Sequence, residues 1–376
     1  MAEIRTGILM NGIARHRVVE VFLQLVCSGL YERNMADLSA FPLTEGEWKS
    51  VMDMSVMQTV TGIVYRGICN LPDECMPSDR ILMRWVVAVE KIEKHNRLMS
   101  RCIRSLMETF GSNGLFPVLQ KGHGVAAYYE EPLVRECGDV DIYFHDRDSF
   151  RKAADIMKKL GCSVKAMPDS SVVYRWNGCI VEQHSRLIDI YNPFLRKYLS
   201  RLIKEKGFIS ADLGEGGKVT VPSPLINFLL LDVHILKHAI GRGIGLRQLC
   251  DMTRAAFCLH KEIDGAEFKS VSAKLGIEKW NALLFSFMCR YLGLEKEYLP
   301  YPVPETDAAS LLEIVLSGGN FGLHRNDAVK PENMSVWKRK WNTVCAMTEN
   351  MEFAFRYAPK EILGLIMELT AGQWKK

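Results

Sequence analysis

Apolar residues recur at three- and four-residue intervals through EWKSVMDMSVMQTVTGIVYRGI (47–68) and RILMRWVVAVEKIEKHNRLMSRCIRSLMETF (80–110), with charges between them. That period lays the apolar positions along one helical stripe. Residues 1–110 therefore read as a helical region whose last element is one long helix, stopped by the breaker GSNG at 111–114. The period then changes. LFPVLQ (115–120) suits a short buried strand, GVAAYYEE (124–131) a short helix and DVDIYF (139–144) a second strand. DRDSFRKAADIMKKLG (146–161) is an amphipathic helix, acidic at its start, with lysines in its last turn and Gly161 just beyond. In VVYRWNGCIVEQH (172–184) two β-rich runs flank Asn177-Gly178, a strong two-residue hairpin signal. Such a turn pairs Trp176 with Cys179 and Val173 with Glu182.

After GEGGKVTVPSP the helical period returns. Ser223 and Pro224 make a good N-cap and first-turn pair. Helices are predicted over 224–240, 245–260, 265–275, 278–292, 307–316, 335–357 and 359–370. The pattern predicts an α+β chain: a small mixed sheet within 111–220, between a helical N-terminal region (1–110) and a helical C-terminal region (221–376). No internal repeat or low-complexity tract interrupts it.

Composition adds limits. With 376 residues, 48% hydrophobic and 24% charged, the chain can bury a large core. A net charge of +4 neither demands a nucleic-acid partner nor excludes one. The 11 cysteines are odd in number and form no CxxC pair. With no basic-then-apolar leader at the start, this predicts a reducing, cytoplasmic setting. The most apolar window, LINFLLLDVHILKHAI (225–240), is interrupted by Asp232, His234, Lys237 and His238 and is too short to span a bilayer.

The candidate chemistry centres on Asp139 and Asp141. Strand side chains alternate, so both point to one face, roughly 7 Å apart along the chain. Two like charges on a largely buried sheet call for a cation, and hard oxygen ligands suit Mg²⁺ completed by substrate phosphates. Glu182, on the second hairpin strand with Ile180 and His184, is the candidate third acid for a two-metal site. Asp189 is the alternative if the hairpin register differs. QKGHG (120–124) is a glycine-containing turn opening a helix, able to receive phosphate oxygens on its amides, with Lys121 adding charge. Arg135 either binds phosphates or pairs with Asp139 or Glu136.

His234 and His238 lie four apart on one helix face but without the HExxH glutamate. They read as shaping the cleft, with Asp251. WKRKW (337–341) has basic residues between tryptophans, as single-stranded nucleic-acid binders do, and equally suits a solvated helix face. SGGNFG (317–322) lacks a preceding strand and reads as a turn.

The order strand, glycine turn, helix, Asp-x-Asp strand, helix, strand with a further acid resembles the nucleotidyltransferase fold of the polymerase-β type. VLQKGHGVAAYYEEPLVRECGDVDIYF is similar to the core of a bacterial family of uncharacterised nucleotidyltransferases, matching at Lys121, Gly122, Tyr129, Arg135, Gly138, Asp139 and Asp141. VEQH resembles its acid-x-His segment (Glu182, His184). HILKHAIGRGIGLRQLCDMTRAA resembles its helical segment (His234, Lys237, His238, Asp251). The likeness covers nearly the whole chain. It implies transfer of a nucleotidyl group from a nucleoside triphosphate, such as ATP, to an acceptor hydroxyl, with pyrophosphate released. Asp139, Asp141 and Glu182 would be the catalytic metal ligands. Lys121, Gly122, Arg135, His184 and His238 would bind the nucleotide. One departure stands out: the superfamily's Gly-Ser is Gly122-His123 here, without the hydroxyl. Two other classes are therefore carried: a catalytically inactive nucleotide-binding scaffold, and a toxin-type enzyme acting on RNA. The acceptor would be a small molecule, a protein or RNA.

Overall fold

The computed structural model describes residues 12–371 apart from 36, 168–169, 241–242 and 319–350. Four helices lead: α1 (Gly12–Tyr31), α2 (Glu45–Met57), α3 (Thr61–Cys69) and α4 (Asp79–Gly111). A capping box starts α2, in which the Thr44 hydroxyl accepts from the Glu47 amide and the Glu47 carboxylate accepts from the Thr44 amide. As the apolar period predicts, α4 is a single helix of 33 residues.

The sheet follows, in the strands β1 (Val118–Gln120), β2 (Val140–Tyr143), β3 (Lys165–Ala166), β4 (Val172–Trp176), β5 (Cys179–His184), β6 (Phe208–Asp212) and β7 (Lys218–Pro222). Their spatial order is β3-β4-β5-β2-β1-β7-β6. The sheet is mixed, with β2/β5 and β1/β7 parallel and the other pairs antiparallel. Asn177 (φ 46°) and Gly178 (φ 86°) form the hairpin turn. The register it sets is the predicted one: Trp176 opposite Cys179 and Val173 opposite Glu182.

Short helices connect the strands: α5 (Gly122–Ala126), α6 (Arg147–Lys159) and α7 (Pro193–Lys206). The Asp146 side chain caps α6 by accepting from the Ser149 amide. Predicted over 124–131, α5 instead starts at Gly122 and stops at Ala126. Its continuation is drawn away because the Tyr128 carbonyl accepts from Arg254 Nε at 2.7 Å and the Tyr129 hydroxyl donates to Asp251 at 2.8 Å.

The C-terminal helices are α8 (Pro224–Ile240), α9 (Leu246–Leu259), α10 (Gly265–Leu275), α11 (Glu278–Leu292), α12 (Ala309–Gly318), α13 (Met351–Tyr357) and α14 (Pro359–Ala371). Residues 335–350 of the predicted 335–357 helix, WKRKW, and SGGNFG beyond Gly318 lie outside the described residues. Among the described residues no helix is long and apolar enough to cross a membrane.

Two apolar cores result. One sheet face packs on the C-terminal half of α4 (Met99, Ile103, Leu106, Phe110) and on α6 (Ala153, Met157), burying Val140, Ile142 and Val181. The larger core joins α1–α3 to α8–α12, with Trp48, Trp85, Trp280 and Phe285 fully enclosed. The second sheet face looks towards α8 and α9. Between them is the cleft that concerns function.

Candidate active site

The site is built by strand registration. Gln120 at the end of β1 is opposite Asp141 of β2, and Asp141 is opposite Glu182 of β5. Paired residues share a face, so the carboxylates of Asp141 and Glu182 come together with His184, two residues further along β5. Asp139 immediately precedes β2. The three carboxylates open on a cavity of about 270 Å³, lined on the sheet side by Lys121, Gly122, Asp139, Asp141 and Glu182 and on the helix side by His234, His238 and Arg247.

At the mouth of β1 the chain takes two successive positive φ values, 53° at Lys121 and 38° at Gly122. Gly122 tolerates this freely, whereas Lys121 (ψ −152°) is strained, a feature that clusters at functional sites. The turn sends Lys121 Nζ to 3.3 Å from Asp141 Oδ1. His184 Nε2 lies 2.7 Å from the same oxygen and 3.9 Å from Glu182. Among the described residues, Asp141, Glu182 and His184 form a metal-competent group, with ligand atoms within 4.8 Å of one another.

The two aspartates differ electrostatically. The negative charge of Asp141, then burial, pushes the Asp139 carboxyl up to about 6. Burial acts upward on Asp141 as well, but Lys121 and the His184 hydrogen bond outweigh it and hold Asp141 down at about 2. Burial likewise opposes the charge on Lys121, yet Asp141, Asp139 and Glu182 together raise it. Lys121, helped at longer range by Arg247, thus faces three carboxylates, and the raised Asp139 shows that the cluster still carries excess negative charge.

The remaining predicted residues fall into place unevenly. Glu182 lines the cavity. Asp189 instead pairs with Arg186 at 2.7 Å and with Lys237 at 2.5 Å. Arg135 reaches the cavity wall but is held by neither Asp139 nor the Glu136 side chain. Its Nε and Nη2 donate to the two oxygens of Asp251 at 3.0 and 2.5 Å, and Tyr129 donates to the same carboxylate. This buried trio ties the turn after α5 to α9, and its bidentate geometry leaves Arg135 little freedom to follow a ligand. His123, next after Gly122, turns into α4, where Nε2 lies 3.2 Å from both the Ser100 hydroxyl and the Asn96 carbonyl. His234 and His238 stack edge-on with ring centroids 4.5 Å apart. Burial first and Lys121 next push both down, His238 to about 4.

The clamp gives a stability prediction. Arg135→Ala leaves Asp251 buried without its cation, so urea unfolding is expected to report a loss of roughly 3–5 kcal/mol. A loss under ~1 kcal/mol would mean the pair is screened by water.

A second prediction concerns Asp232, fully buried on α8, where Trp280 Nε1 donates to Oδ1 at 2.7 Å and Oδ2 has no partner among the described residues. Burial, opposed by the Trp280 bond, pushes this carboxyl up to about 7. A raised acid binds its proton more tightly folded than unfolded, so it costs stability progressively from about pH 4 upward, fully above pH 7. Asp232→Asn keeps an acceptor for Trp280 and removes that titration. Its stability relative to the parent is expected to rise by on the order of 2–3 kcal/mol between pH 5 and pH 8. A pH-independent difference would refute it.

Arg247, in the first turn of α9, also lines the cavity but is not singled out by the sequence. Its only sequence signal is a basic residue where helices favour acidic ones.

A family model described as "uncharacterised nucleotidyltransferase" matches residues 44–293. The chain belongs to this family. The match runs from α2 to the end of α11 and so includes, among the described residues, every strand and every group lining the cleft. A search of curated proteins gives no match. Among solved structures, an antigenic nucleotidyltransferase-like protein from Paracoccidioides brasiliensis is 14% identical, with a TM-score of 0.33, covering 53% of this chain and 94% of that one.

Proposed function

We propose that this family member transfers a nucleotidyl group from a nucleoside triphosphate to an acceptor hydroxyl, on a core of the polymerase-β type. The observation that carries the reading is the meeting of Asp141 and Glu182 on neighbouring strands, with Asp139, just before β2 and outside the Asp141–Glu182–His184 group, lining the same cavity beside the strained Lys121-Gly122 turn. The donor set fits Mg²⁺. Its oxygens are hard ligands, and the raised Asp139 carboxyl marks excess negative charge that a divalent cation would relieve. Asp139, Asp141 and Glu182 would hold the metal, which when bound neutralises phosphate charge and lowers the pKa of the acceptor hydroxyl.

The chain's own groups supply the rest. Lys121 and the Gly122 turn face the donor's phosphates. The acceptor oxygen attacks the α-phosphorus and the bond to pyrophosphate breaks, while the acceptor's proton passes to Glu182 or to solvent. His184 fixes Asp141 by its 2.7 Å contact. Arg135 acts as a positioning residue through Asp251 and Tyr129 rather than by gripping phosphate. Because His123 is turned into α4, phosphate binding at the turn rests on backbone amides and Lys121.

The test is incubation with each α-labelled nucleoside triphosphate, Mg²⁺ and host lysate. Label should appear in one acceptor class, with stoichiometric pyrophosphate. Nucleotide binding without label transfer would favour the inactive scaffold. Label confined to RNA would favour the toxin-type enzyme.

A further inference from the structure

Arg247 enters the cleft from the first turn of α9, across from the carboxylates. Among the described residues it has one hydrogen bond, Nη1 donating to the Glu136 carbonyl at 2.8 Å, and no carboxylate within 4.0 Å. Its Nε is buried and has no partner. Of the nearby acids, Asp251 is engaged by Arg135 and Tyr129 and Glu136 by the Thr61 amide at 2.8 Å, while Asp139, across the cavity, acts on Arg247 without contacting it.

Three features make this an uncomfortable place for a cation. Partial burial, complete at Nε, strips much of its water. Arg135 sits beside it, and these two influences, burial the larger, lower the Arg247 pKa. It also occupies the positive end of a 14-residue helix whose N-cap, Gly245, provides no side chain and whose first turn has no acid. The neighbouring Leu246 amide is already used, donating to Gln58 Oε1 at 2.9 Å. A cation held here with an unpartnered Nε and no carboxylate in contact, its acidic neighbours acting only at longer range, points to an external anion.

From this geometry we infer that Arg247 binds the polyphosphate tail of the donor, the part that leaves as pyrophosphate. The inference rests on the nucleotidyl-transfer reading for the identity of the anion, though not for the existence of an anion site. A guanidinium suits this role because its planar donors match phosphate oxygens. The cleft would then divide its labour: acids on the strand side at the reacting phosphate, Arg247 on the helix side at the leaving group.

The experiment is calorimetric titration of the full chain with inorganic pyrophosphate and Mg²⁺, alongside thermal unfolding without ligand. Arg247→Gln should weaken pyrophosphate binding at least tenfold and raise the ligand-free melting temperature by a few degrees. Arg247→Lys should restore part of the binding. A residue that merely props up the fold would give the opposite pair, lower melting and unchanged affinity, and that result overturns the inference. No pyrophosphate binding by the parent chain also overturns it. Binding that depends on Arg247, in a chain that transfers no nucleotide, leaves it standing and removes the catalytic reading instead.

Discussion

Asp139→Asn and Asp141→Asn are each expected to abolish nucleotidyl transfer, yet to move metal-free stability in opposite directions. Activity falls in both because each substitution removes a negative oxygen ligand from the cluster facing the donor's phosphates. Stability diverges because the two carboxylates are ionised against different backgrounds. Asp139 is pushed up to about 6, chiefly by the charge of Asp141. Its ionisation is therefore a burden fully present above pH 6 and absent below about pH 4, worth up to roughly 3 kcal/mol. An Asn there relieves it. Asp141 is held down at about 2: burial works against it, but Lys121 and His184 win. It contributes stability above about pH 4, lost as pH falls through about 2. An Asn there strips Lys121 of its nearest carboxylate and is expected to cost on the order of 2–4 kcal/mol. Thermal unfolding in EDTA at pH 7.5 should rank Asp139→Asn above the parent and Asp141→Asn below it. Added Mg²⁺ should raise only the parent's melting temperature appreciably. Two equally destabilised, active variants would make the pair structural and sink the proposed reaction.

What the sequence disclosed was mostly local. Asn177-Gly178 needs positive φ at both positions, so residue type alone set the β4/β5 register and placed Glu182. Asp146 and Gly161 bracketed α6 for equally local reasons. The strands β6 and β7 were harder to see. Phe208–Asp212 is largely exposed, and Lys218–Pro222 alternates weakly and ends in proline, so neither has an apolar run. Yet β7 lies beside β1 and extends the sheet under the site. The helix α7 was also missed, although Asn192 and Pro193 make a proper start. Long-range partnerships were the least legible. Arg135 meets an aspartate 116 positions away, and no spacing rule could choose Asp251 over the adjacent Glu136. Arg247 is informative because of partners it lacks, which becomes visible only when its surroundings are assembled.

Glu182→Gln is expected to separate binding from turnover. The glutamate side chain is about a quarter exposed, and Oε1 accepts from the Ser171 hydroxyl at 3.2 Å. Glutamine keeps the shape and an acceptor for that hydroxyl, so the fold should change by less than ~0.5 kcal/mol. Triphosphate affinity should also stay close to the parent's, since the groups facing the phosphates, Lys121, the Gly122 turn and Arg247, are untouched. The proton acceptor is lost, together with one negative ligand beside the attacking oxygen. Turnover should drop by roughly 10²–10⁴ on that account alone. A fall in kcat at near-constant nucleotide affinity is the sign of a group needed in the transition state rather than in the ground state. Asp189 provides the control, because it does not line the cavity and is occupied by Arg186 and Lys237. Asp189→Asn should keep parental turnover while losing some stability as Lys237 gives up its partner. If turnover survives Glu182→Gln and disappears in Asp189→Asn, the third acid is Asp189, and the cleft between β5 and α8 must rearrange to bring it in.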